Sequence, residues 1–145
     1  MTGYFQSLIK AIAVLALFIV AHVNAITPSI EISKQSKCFN MIGVDTQAST
    51  LIFFHADWAQ SSKLMKIKVD KLHKRYPGVS YKMVDFSTDK SAVLACMAEK
   101  SLNINTIPVL LSIKGGRILP GSLQGFRPAS DTSKLDVLFK SYSLQ

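Results

Sequence analysis

The spacing of apolar and polar positions changes repeatedly along the chain, and each change marks an element. Ala11 to Val20 is an unbroken apolar run that Ala21 extends. Ser29-Ile30-Glu31-Ile32-Ser33 alternates polar and apolar, the period of a half-buried strand. A helix is expected from about Lys34 to Ile42, with Gly43 as its stop. Thr50 to His55 (TLIFFH) is continuously β-branched or aromatic, the pattern of a strand covered on both faces. Ala56-Asp57-Trp58-Ala59-Gln60-Ser61-Ser62 then leads as a loop into a helix over Ser62 to Tyr76. There Met65, Val69, Leu72 and Tyr76 recur at i, i+4, i+7 and i+11 and share one face. Pro77-Gly78 ends it.

Val79 to Phe86 alternates as a strand, and Ser87 to Leu102 reads as a helix that starts near Thr88-Asp89. Pro108 to Lys114 (PVLLSIK) is a strand, and Gly115-Gly116 supplies the positive φ of a tight hairpin. Ile118 to Phe126 returns as a strand broken by Pro120, Gly121 and Gly125. Ala129 to Tyr142 closes the chain as an amphipathic helix with Leu135, Leu138, Phe139 and Tyr142 inward. The order βα, βαβ, αββα predicts an α/β domain. Its second and third strands are parallel and its last two form an antiparallel hairpin, with helices on both faces of the sheet.

Composition changes this picture at one end only. With 145 residues, 48% apolar and 18% charged, the chain suits one globular domain rather than a disordered or repetitive one. The first 25 residues carry one charge, Lys10, before the apolar run, which is shorter than the roughly 20 residues that a membrane-crossing helix needs. It suits the apolar region of a secretory signal, and Val23-Asn24-Ala25 has the small residues of a cleavage site. Residues 1–25 are therefore expected to be a signal peptide and 26–145 the domain. The rival is an uncleaved anchor that recruits Leu8 and Ile9. The expected route is secretory, ending secreted or in a lumenal or periplasmic space, with no stable membrane span after cleavage. The net charge is +8, with Lys63, Lys66, Lys68, Lys71, Lys74 and Arg75 concentrated on one helix. No nucleic-acid-binding aromatic pattern accompanies them, so they read as a solvated face and nucleic acid is not an expected partner.

The element order, with Ala56-Asp57-Trp58 after a buried strand, closely resembles the thioredoxin family from Leu51 to Leu138. Thr106-Ile107-Pro108 matches the family's cis-proline loop, and Lys114-Gly115-Gly116-Arg117 its last hairpin. The resemblance implies a thioredoxin-like mixed five-stranded sheet flanked by helices on both faces. It also implies thiol–disulfide exchange, and here the residues depart. Where thioredoxins carry Cys-Gly-Pro-Cys-Lys, this chain reads Ala59-Gln60-Ser61-Ser62-Lys63. The reaction needs a thiolate at the helix N-terminus, where peptide N–H groups and the helix dipole lower its pKa. Ala59 has no reactive atom, and Ser62 cannot make or break a disulfide. Phe53 stands where the family has a buried acid, and Ile67 where it has a helix-kinking proline.

No catalytic residue and no cofactor are therefore expected. The expected role is binding of a polypeptide or of a partner in a chaperone or assembly complex. Trp58 would serve as a flat platform, Gln60 and Ser61 would lie beside it, and the Ile107-Pro108 backbone would offer edge hydrogen bonds. Against this stands a Trp58 that merely covers the core. Ser61 or Ser62 as a nucleophile would need a base and oxyanion donors that the sequence does not place nearby, and a helix N-cap is the ordinary role for such a serine. His55 and His73 with two dispersed cysteines show no metal-ligand spacing, so no metal site is expected. In a thioredoxin-like fold Cys38 and Cys96 lie on helices of one face. They would form either a structural disulfide or two separate buried thiols. The alternatives are an oxidoreductase acting through Cys38 or Cys96, and a purely structural subunit with Trp58 buried in an interface.

Overall fold

The computed structural model describes residues 29–33 and 35–145; the expected signal peptide over residues 1–25 lies outside them. The sheet is built on β2 (Thr50–His55), whose six residues are all buried. It pairs in parallel with β3 (Tyr81–Asp85) and antiparallel with β4 (Val109–Lys114). β5 (Arg117–Ile118) follows β4 through the Gly115-Gly116 turn, where both residues have positive φ, and β1 (Ile30–Glu31) pairs with β5 at the edge. The order is β1-β5-β4-β2-β3, with β6 (Leu123–Gln124) paired to β4.

Alternate residues of β2 feed two cores. Ile52 and Phe54 pack with α1 (Lys37–Ile42) and α3 (Lys90–Ala98) through Cys38, Phe39, Ala92 and Cys96. Leu51 and Phe53 pack with α2 (Gln60–Arg75) and α4 (Pro128–Ser143) through Met65, Val69, Leu135 and Phe139. Tyr142 of α4 ends on β4, its hydroxyl 2.6 Å from Ser112 Oγ and donating to the Ile113 carbonyl at 3.0 Å. No helix among the described residues is long and apolar enough to cross a membrane.

Three expectations are corrected. The strand anticipated over Ile118 to Phe126 is two strands, so the sheet has six rather than five. Pro120 has no N–H to give a ladder, and Gly121 turns the chain with φ +95°. The helix anticipated from Ser87 to Leu102 is α3 followed by a separate 3-10 turn, Lys100–Leu102, closed by Asn103 in the left-handed region. The first helix begins at Lys37 because Ser36 caps it, accepting the Phe39 N–H while its hydroxyl donates to Glu99.

Candidate functional site

The end of β2 delivers the chain to a loop that the structure holds at several points. Ala56 is fully buried, and its N–H donates to Ser62 Oγ at 3.2 Å. The Asp57 N–H donates to Ser87 Oγ at 2.9 Å, tying the loop to the chain just after β3. Between these anchors Trp58 projects into solvent, 73% exposed. Ala59 takes the N-cap position of α2 with no side-chain cap bond. The expected serine cap is therefore corrected: Ser61 and Ser62 lie inside the first turn, where their hydroxyls face other backbone. Ser62 is buried against Ala56, and Ser61 Oγ lies 3.5 Å from the Ile107 carbonyl. Neither serine bonds to a histidine or carboxylate among the described residues, so no base is in place to activate a hydroxyl.

The Ile107–Pro108 peptide bond is cis. Pro108 is buried, Ile107 half-buried, and Asn105 and Thr106 are exposed. Trp58 and Ile107 line one groove of about 390 Å³ together with Phe86, Val93, Met97 and Ile104. That volume falls within the roughly 300–1,000 Å³ of ordinary binding clefts. Of the other expected binding residues none lines the groove: Gln60 is exposed, Ser61 Oγ reaches only the Ile107 carbonyl, and Pro108 is buried.

The contribution of α3 to this groove was not anticipated. Its signal was present: α3 is apolar nearly all round, so Val93 and Met97, four residues apart, form a stripe beside the core stripe of Ala92 and Cys96. Cys38 and Cys96 are bonded to one another and both have no exposure, which decides between a disulfide and two thiols. Neither cysteine is free, so the alternative of exchange through either one has no presented thiol in this state.

Below Trp58, His55 stacks on Phe53 with ring centroids 5.3 Å apart. Its Nδ1 is 3.8 Å from Asp57 Oδ1, and donor atoms of His55, Asp57 and Asp85 all lie within 4.8 Å of one another. This grouping, absent from the sequence expectation of no metal site, supplies the donors that could hold a cation. Burial works against the charged form of Asp85, but the Ser87 N–H and hydroxyl and the nearby His55 outweigh it and hold the carboxyl below its usual range.

No family model matches the chain, and no curated protein matches it. Solved structures are. Thioredoxin O2 from Arabidopsis thaliana in its oxidised state is 21% identical, with TM-score 0.56 over 77% of this chain and 93% of that one. Thioredoxin O1 from the same plant is 22% identical, with TM-score 0.55 over 80% and 99%. Oxidised thioredoxin from Plasmodium falciparum is 22% identical, with TM-score 0.54 over 79% and 99%. At this identity the likeness is one of fold: the chain has a thioredoxin-like fold.

Proposed function

We propose that this protein binds an extended polypeptide segment in the groove beside Trp58, without thiol–disulfide chemistry. The observation that carries the reading is the exposed Trp58 lining an apolar groove together with Ile107, at a loop where Ala59 and Ser62 replace the thiols. A tryptophan left in water offers large, rigid contact area to a partner, and anchors of this kind dominate binding energy. The Ile107 N–H has no backbone partner among the described residues, which supports its pairing with an extended main chain. The secretory route is part of the proposal, supported by the apolar leader and by a cysteine pairing that oxidising compartments maintain.

Trp58 is the single tryptophan of the chain, so its emission reports the groove directly. The full chain should show a saturable blue shift on titration with a reduced, carboxymethylated model polypeptide, which carries no thiol. Measured by anisotropy of the labelled polypeptide, Trp58→Ala and Ile107→Lys should each weaken binding at least tenfold, about 1.4 kcal/mol. Absence of binding, or affinity unchanged in both variants, would overturn the reading in favour of a structural subunit. The chain should also leave the dithiothreitol reduction of insulin at its uncatalysed rate. Turnover that Cys38→Ala with Cys96→Ala abolishes would refute the non-redox half of the proposal.

A further inference from the structure

We propose that His55, Asp57 and Asp85 form a binding site for one divalent transition-metal cation of the zinc class, at the C-terminal ends of β2 and β3. The sheet itself brings the ligands together. β2 and β3 run parallel with His55 opposite Asp85, so both side chains emerge at the same end of the sheet and on the same face. Asp57 follows two residues later. Ser87 fastens both acidic segments, its hydroxyl accepting the Asp57 N–H at 2.9 Å and its N–H donating to Asp85 Oδ1 at 2.7 Å.

The histidine points independently to a ligand. It is 4% exposed, and among the described residues neither ring nitrogen has a hydrogen-bond partner. Its Nδ1 faces Asp57 Oδ1 at 3.8 Å, too far for a hydrogen bond, while Phe53 stacks against the ring. An imidazole nitrogen that no described side chain occupies is open to a ligand, and two carboxylates sharing one site repel. No lysine or arginine among the described residues forms a salt bridge with Asp57 or Asp85. One cation answers all three groups at once.

Zinc bonds of about 2.0–2.2 Å to nitrogen and oxygen put tetrahedral ligand atoms about 3.4 Å apart. The donor atoms here, within 4.8 Å, need a modest closure. Asp57 can make it, because its side chain is 68% exposed on a loop. One imidazole with two carboxylates favours zinc, cobalt or manganese over calcium or magnesium, which take oxygen ligands alone. Three protein ligands leave a fourth position to solvent. A cation held there would pin Asp57, and with it Trp58, to the end of β3.

Calorimetric titration of the chelator-treated full chain with zinc chloride should show one saturable site. Cobalt chloride should give the visible bands of a low-symmetry, four-coordinate centre, and calcium chloride should give no binding. Asp57→Ala, on an exposed loop that the fold does not need, should lower zinc affinity at least tenfold and weaken the cobalt bands. His55→Gln and Asp85→Asn should abolish them. A chain that takes up neither ion, or one whose affinity is the same in Asp57→Ala and His55→Gln as in the parent, would overturn the site. The second result would place the ion elsewhere on the molecule.

Discussion

The two faces of the sheet are held by different means. On one, α2 and α4 are each 16 residues long and bury a continuous apolar seam, Met65, Val69 and Leu72 against Leu135, Phe139 and Tyr142. Arg75 reaches Asp136 across this pair at 2.8 Å, a surface bridge that contributes little beside the seam. On the other face α1 has 6 residues and α3 has 9, lengths at which a helix draws little stability from its own hydrogen bonds. That face is tied by the Cys38–Cys96 bond and by Ser36 donating to Glu99 at 2.6 Å. The covalent face is also the one from which α3 gives Val93 and Met97 to the groove. Long helices can rely on buried area, whereas short ones that leave apolar side chains exposed need a staple.

The largest effect should come from the long-helix face. Phe139→Ala removes a fully buried ring between α4 and the sheet and should cost about 4 kcal/mol, read as a lower urea midpoint at unchanged slope. If the loss is below about 1 kcal/mol, that face does not depend on its seam. Replacing the pair, Cys38→Ala with Cys96→Ala, should cost about 3 kcal/mol, chiefly by freeing the unfolded chain. It should also act locally. Hydrogen exchange should show α1 and α3 losing protection before α2 and α4, and uniform loss would erase the contrast between the faces.

The smallest effect concerns how α4 begins. Asp131 accepts the Arg127 N–H at 2.8 Å and the Lys134 ammonium at 3.0 Å, which together hold its carboxyl below the usual carboxylate range despite burial. Asp131→Ala should cost about 1 kcal/mol at neutral pH. Because the folded pKa is the lower one, this stabilisation is present above the ordinary value of about 3.9. It fades as pH falls through the depressed folded value. Acid unfolding followed by circular dichroism should converge for parent and variant at the acid end, and a gap that persists there would exclude the carboxylate as its source.

Much of the architecture was legible because it rests on local periodicity. The buried run of β2, the seam of α2 and the glycines of the β4–β5 turn each state their structure within a few residues. The breaks were less legible. Pro120 and Gly121 marked a disturbed strand, but whether the chain would rejoin β4 as a sixth strand depended on Val109 and Leu110 being free to pair with Gln124 and Leu123. Ser61 and Ser62 likewise looked like caps, and the backbone around Ala56 and Ile107 gave their hydroxyls other partners.

By itself the sequence determined the α/β class, the loss of thiols at Ala59 and Ser62 and the placement of Trp58 at the head of a basic helix, because these depend on residue identity and on spacings of two and of three to four. Only the tertiary structure decided that Cys38 meets Cys96, that Val93 and Met97 share a groove with Trp58, and that His55, Asp57 and Asp85 converge. Each of those joins residues from elements far apart in the chain. Their meeting depends on the parallel register of β2 with β3 and on which face of the sheet each helix covers.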